Sequence, residues 1–192
     1  EDFVVAGGHA TLEWAIQYPV ILDPEGNPQT DAVMKVRLIG SAINPNHNLH
    51  FGATFNGGDF ETLYRGAGEL SADYDIIPGE VVRELEVEGG TEVDFHVRVE
   101  FPNGSTTQWT STNDPARQHM IIRLMDGDAI PYYRPVTGQS TIEELLASYA
   151  VDGHVDVGPN DVIVTLEAYT PDVNHPDYDM QDMIVLISYE AR

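Results

Sequence analysis

Hydrophobic and polar residues alternate with a period of two over much of the chain. Leu12, Trp14, Ile16, Tyr18, Val20 and Leu22 fall on one face, Glu13, Ala15 and Gln17 on the other. This is the repeat of a half-buried strand. The turn-rich run DPEGNPQTD follows, and AVMKVRLIG resumes the pattern with Ala32, Met34, Val36 and Leu38 inward. The spacing predicts a long hairpin over 11–39, with a break or edge position at Pro19. A second hairpin is predicted over 81–101. Val81, Leu85 and Val87 share a face, and Val93, Phe95, Val97, Val99 and Phe101 share a face in the return strand. A three-residue loop of Gly89, Gly90 and Thr91 keeps both apolar faces together. That register sets Glu86 opposite Asp94, Glu88 opposite Glu92 and Glu84 opposite His96.

Other segments carry weaker patterns. A short strand is expected near His50 to Phe55, and DFETLYRGAG reads as a helical turn ended by Gly66 and Gly68. Further strands are expected at TTQWTST, QHMIIRLM, AIPYYRP, DVIVTLEAY and DMIVLISYE. The last is apolar on both faces, as a central core strand is. One helix is signalled near residues 141–149, where Ser140 and Glu143 form a capping-box pattern and Gly153 lies beyond the end. About ten short strands and one short helix predict a mainly β, antiparallel sandwich, with the jelly roll as one form of it. At 192 residues the whole chain, 1–192, is expected to be one domain.

Charge changes this picture most. Asp plus Glu number 32 against nine Lys plus Arg, for a net charge of -23, and Lys35 is the sole lysine. Spread over the roughly 9,000 Å² surface expected at this mass, that is about one net negative charge per 400 Å². A Debye length of about 8 Å screens a uniform coat at physiological salt, but clusters would still repel. The balance points to water of high ionic strength. It argues against partners such as nucleic acid or anionic membrane, which need basic footprints. No apolar run reaches the ~18 residues of a membrane span, so no membrane insertion is expected. The absence of cysteine excludes disulfides, thiolate metal sites and thiol nucleophiles.

Candidate chemistry is sparse. GxSxG, P-loop, GxGxxG and HExxH patterns are all missing. Asp177, Asp179 and Asp182 lie within six positions and supply oxygen ligands of the kind calcium takes. The spacing is not that of an EF-hand, and a solvated acidic loop feeding a core strand is the plainer reading. Glu86, Glu88, Glu92 and Asp94 form a diffuse second cation site if the hairpin register holds. His47 and His50 stand three apart, which in a strand points them to opposite faces. His119 with Met120 and Met125 suggests copper less well than a buried strand. Trp109, Tyr132 and Tyr133 are candidates for stacking on a carbohydrate or for subunit contacts.

The expectation is a non-enzymatic structural protein that needs no cofactor. It would assemble with copies of itself or related subunits, as a capsid or surface filament, in a high-salt setting. Its place would be extracellular, at a cell surface or in a virion. The alternative is a secreted carbohydrate-binding or calcium-dependent adhesive module. Trp109 sharing a groove with Tyr132 or Tyr133 would favour the alternative, and an unpaired edge strand would favour assembly.

Overall fold

In the computed structural model, residues 20–44, 46–67, 78–136 and 138–192 are described. The chain is mainly β, with antiparallel sheets packed as a sandwich and one short helix. Strands β1 (Ala32–Gly40), β4 (Val81–Val87), β7 (Ile121–Leu124), β10 (Asp161–Leu166) and β11 (Met183–Ala191) form a five-stranded sheet in the order β4-β1-β11-β10-β7. Strands β2 (Asn48–Phe55), β3 (Glu61–Ala67), β5 (Val93–Glu100) and β6 (Thr110–Ser111) form a four-stranded sheet in the order β3-β2-β5-β6. A two-stranded ribbon joins β8 (Ala150–Val151) to β9 (His154–Val155).

Alternation decides what lies between the sheets. Met34, Val36 and Leu38 of β1, Val185 and Ile187 of β11, and Phe51, Phe95, Val97 and Val99 of the facing sheet are buried in one core. Each such side chain contributes about 2 kcal/mol on leaving water. Arg123 on β7 also reaches across. Its guanidinium donates to the Val93 carbonyl and lies 5.1 Å over the Phe95 ring.

Part of the outer face of the five-stranded sheet is covered by a third layer, while its β4–β1 end carries Lys35 with the exposed Glu84 and Glu190. Ile39, Ile163, Ile184 and Leu186 point out of it and are buried under Ile142, Leu146, Met120 and Tyr178. β11 is therefore apolar on both faces because both are covered. The covering layer holds α1 (Ile142–Leu145), whose first turn is capped by Thr141, not Ser140. Thr141 Oγ1 accepts from the Glu144 amide at 3.0 Å, and Glu144 Oε2 accepts from the Thr141 amide at 2.8 Å. A 3-10 turn over Ala147–Tyr149 replaces the rest of the expected helix.

Neither predicted hairpin is found among the described residues. β1 is paired on one edge with β4 and on the other with β11. The turn closes only as far as the Leu22–Pro28 bridge, and residues 11–19, including Trp14 and Pro19, lie outside the described residues. β4 and β5 belong to different sheets. The chain crosses from one sheet to the facing one over 88–92, so Val87 and Val93 enter the same core from opposite sides. Gly89 passes so close to residues 29–30 that a Cβ would meet Gln29 O at 2.8 Å, and Gly90 takes φ +79°. The period of two reports which face is buried, and a crossing satisfies it as well as a hairpin does. Glu84 accordingly lies opposite Lys35 and Glu86 opposite Val33, while Asp94 lies opposite Thr54 and His96 opposite Gly52.

Two smaller expectations also change. DFETLYRGAG is strand β3, paired with β2; Thr62, Leu63 and Tyr64 suit a strand better than a turn. AIPYYRP contributes only the Ala129–His154 bridge.

Candidate metal centre

β10 and β11 run side by side, with Thr165 opposite Ile184 and Leu166 opposite Met183. One residue past the last pair, each chain carries an acid: Glu167 and Asp182. Alternation turns both away from the main core, toward the covering layer. Asp182 Oδ2 accepts from the Ala168 amide at 2.7 Å, which holds it across the strand ends. Glu167 is wholly buried. Its Oε1 accepts from the Tyr169 and Thr170 amides at 2.9 and 3.0 Å, and its Oε2 from the Asp179 amide at 3.2 Å. Asp179 is also buried, with Oδ2 accepting from Gln181 Nε2 at 2.8 Å. Between them Met180 takes φ +59°, which costs a non-glycine residue about 1 kcal/mol; full burial of its side chain holds it there.

Glu167, Asp179 and Asp182 thus present oxygens all within 4.8 Å of one another. Among the described residues, none of the three pairs with a Lys, Arg or His nitrogen. Burial, and then the charge of Glu167, raises the Asp182 carboxyl well above its ordinary range. Burial likewise raises Glu167 and Asp179. Three buried anions at this spacing need either protons or a cation. A cleft of about 420 Å³ is lined by Asp179 and Asp182, though not by Glu167, with Asn44, His47, Phe101 and Tyr169 among its other walls. The cluster can hold a hard cation or share a proton between carboxyls.

No family model, curated protein or solved structure matches the chain.

The sequence-predicted sites fare unevenly. Of the three loop aspartates, Asp179 and Asp182 meet, so the expected solvated loop is overturned for these two. Asp177 is exposed at the cleft edge and lies 3.7 Å from His175. The third member of the cluster is Glu167, which sequence reasoning missed. Its signal was a lone carboxylate directly after the apolar run Val162–Leu166.

The diffuse site of Glu86, Glu88, Glu92 and Asp94 does not form, because the hairpin that would have made it does not exist. Glu86 pairs with Arg192 at 2.7 Å, and Glu88 is exposed. Glu92 Oε1 accepts from Asn113 Nδ2 at 3.4 Å. Asp94 is buried in a cage of donors: the hydroxyls of Ser111 and Thr112 and the Asn113 amide.

Trp109 and the tyrosine pair lie on opposite sides of the sandwich, so they share no groove. Tyr133 packs on Tyr178 at 5.7 Å in the covering layer, and Tyr132 is 82% exposed. Trp109 is half-buried on the outer face of the four-stranded sheet. The Arg98 guanidinium sits 4.4 Å over its ring, with Phe60 5.0 Å and His96 6.4 Å away. Phe60 seats on Gly52, where a Cβ would meet its ring at 2.3 Å. His50 completes this platform. Its Nε2 lies 2.7 Å from Glu100 Oε2 and 3.0 Å from Arg65 Nε, and burial lowers its pKa. His47 instead meets the edge of Phe101, and His119 bonds the Pro171 carbonyl while Met120 is buried. Neither joins a metal cluster among the described residues.

Proposed function

We propose that the protein is a non-enzymatic structural β-sandwich that works by associating with copies of itself in water of high ionic strength, as a coat or filament subunit does. The observation that carries this reading is the contrast between the two outer sheet faces. One is covered by its own chain around Ile39, Ile163, Ile184 and Leu186, and its remainder holds ion pairs such as Lys35–Glu190. The other has no such layer among the described residues and carries a platform of Trp109, Phe60, Arg98 and Arg65. In a chain of net charge -23, a surface that gathers two of eight arginines beside exposed aromatic carbon is complementary to the acidic remainder of a second copy. High salt suppresses repulsion between two such anions while leaving aromatic and cation–π contact in place.

Light scattering in multimolar sodium chloride tests it. The full chain should show a large, regular species, and Trp109→Ala or Arg98→Ala should dissolve it with little change in melting temperature. A strictly monomeric protein at high concentration and high salt overturns the reading. The carbohydrate-binding alternative loses its expected groove; its calcium-dependent half rests on the carboxylate trio.

A further inference from the structure

We infer that Glu167, Asp179, Asp182 and the carboxamide oxygen of Gln181 form a binding site for a hard divalent cation, calcium ahead of magnesium, reached through the cleft beside Tyr169. The inference is independent of self-association. It concerns a different face of the molecule and makes no use of Trp109 or its neighbours.

The carboxylates alone would not carry it. The second observation is Gln181, which is 1% exposed and whose Oε1 has no hydrogen-bond partner. Its own Nε2 lies 2.8 Å from Asp179 Oδ2, so the carboxamide head rests against the cluster. A buried carbonyl oxygen without a donor is uncommon in folded proteins. Beside three carboxylates, the partner that serves it while all three stay ionised is a cation. Half a turn of the amide brings Oε1 to the place beside Asp179 Oδ2 that Nε2 now holds, 2.8 Å away. Thr165 Oγ1 is a second buried oxygen without a partner, two residues before Glu167 on the same strand face.

The donor set selects the ion. Every group is oxygen, which suits hard cations and disfavours zinc or copper. Calcium accepts six to eight oxygens in adaptable geometry, so four protein oxygens and water from the cleft suffice. Magnesium holds its water and demands a stricter octahedron. A divalent ion also answers the electrostatic problem. It neutralises most of a buried triple charge, and binding displaces whatever protons the cluster holds, so affinity falls as pH falls.

The test is a calcium titration of the chelator-treated full chain in multimolar sodium chloride, read by melting temperature. Terbium luminescence sensitised by Tyr169 provides a second readout. Added sodium chloride of equal ionic strength is the control. Calcium at a hundredfold excess over Kd should raise the melting temperature by about 5–10 °C, magnesium should do less, and protons should be released. Glu167→Gln and Asp179→Asn should each weaken calcium at least tenfold while raising the melting temperature in chelator, because they remove a buried charge. Asp177→Asn should change neither. If the wild-type chain shows no calcium or terbium response beyond the ionic-strength control, the site is a shared-proton cluster and the inference falls, whether or not the variants fold. A response abolished by Asp177→Asn but kept by Asp179→Asn overturns it as well.

Discussion

Asp94 and the Glu167–Asp179–Asp182 trio are both buried acids, at opposite sheets of one sandwich, and they solve burial differently. Asp94 stands alone among side chains that exist to receive it. Ser111 and Thr112 offer hydroxyls, Asn113 its amide, and His96 lies 3.1 Å away. Its neighbours on β6 and the following turn are short polar residues, so donors outnumber charges. In the trio three carboxyls share a handful of backbone amides and one carboxamide, and no basic side chain joins them among the described residues. Burial of an acid is therefore not itself the mark of a site. Several carboxyls sharing fewer donors than they need is, and of these two burials it describes the trio.

The sharpest way to break this comparison is to remove Asp94. Asp94→Ala leaves two hydroxyls and an amide without their acceptor, which should cost about 3 kcal/mol. Urea unfolding at fixed salt measures it. Asp179→Asn in chelator should move stability the other way. If both variants lost equal stability, the two burials would be equivalent and the distinction would fail.

pH provides the next test, and the sign follows from the direction of each shift. The trio's carboxyls have folded values above their unfolded ones, so the native state holds more protons than the unfolded chain between the two. In chelator, their contribution to stability should fall as pH rises from about 4, the ordinary carboxyl range, through those raised values. Calcium should flatten this fall, and so should Asp182→Asn. His50 and His96 act in the opposite sense. Burial holds both below the usual imidazole value, so their contribution is lost as pH drops through about 6.5. A wild-type profile in chelator that matches that of Asp182→Asn across the acid range would show that the trio bears no linked protons.

The contrast between legible and hidden features follows the same physics. Alternation in β1 and β5 exposes which face of each strand is buried, because every second side chain must leave water. The two-sided apolarity of β11 likewise announces a strand covered twice. Alternation says nothing of which strand lies alongside, and so the crossing over 88–92 passed for a hairpin turn. The helix start was readable to within one residue because Ser140 and Thr141 each stand three before a glutamate. Asp179 and Asp182 were visible as a spacing, Glu167 only as a carboxylate ending the apolar run of β10. Their meeting depends on the β10–β11 pairing and on the left-handed turn at Met180. Those are tertiary facts, and no local pattern encodes them.

The smallest expected effect sharpens the comparison most finely. Gln181→Met replaces the carboxamide with a side chain of similar length and no polar head. In chelator two terms oppose. The bond from Nε2 to Asp179 disappears, at about 1 kcal/mol, and the oxygen that lacked a donor disappears with it, relieving a similar amount. Stability without calcium should then stay within about 1 kcal/mol of wild type. With calcium the terms no longer cancel, because the variant has lost a ligand and kept all three carboxylates. The calcium increment in melting temperature should shrink while the acid dependence in chelator persists. An unchanged calcium increment would make Gln181 a mere neighbour of the trio and would place the missing counter-charge on the carboxylates alone.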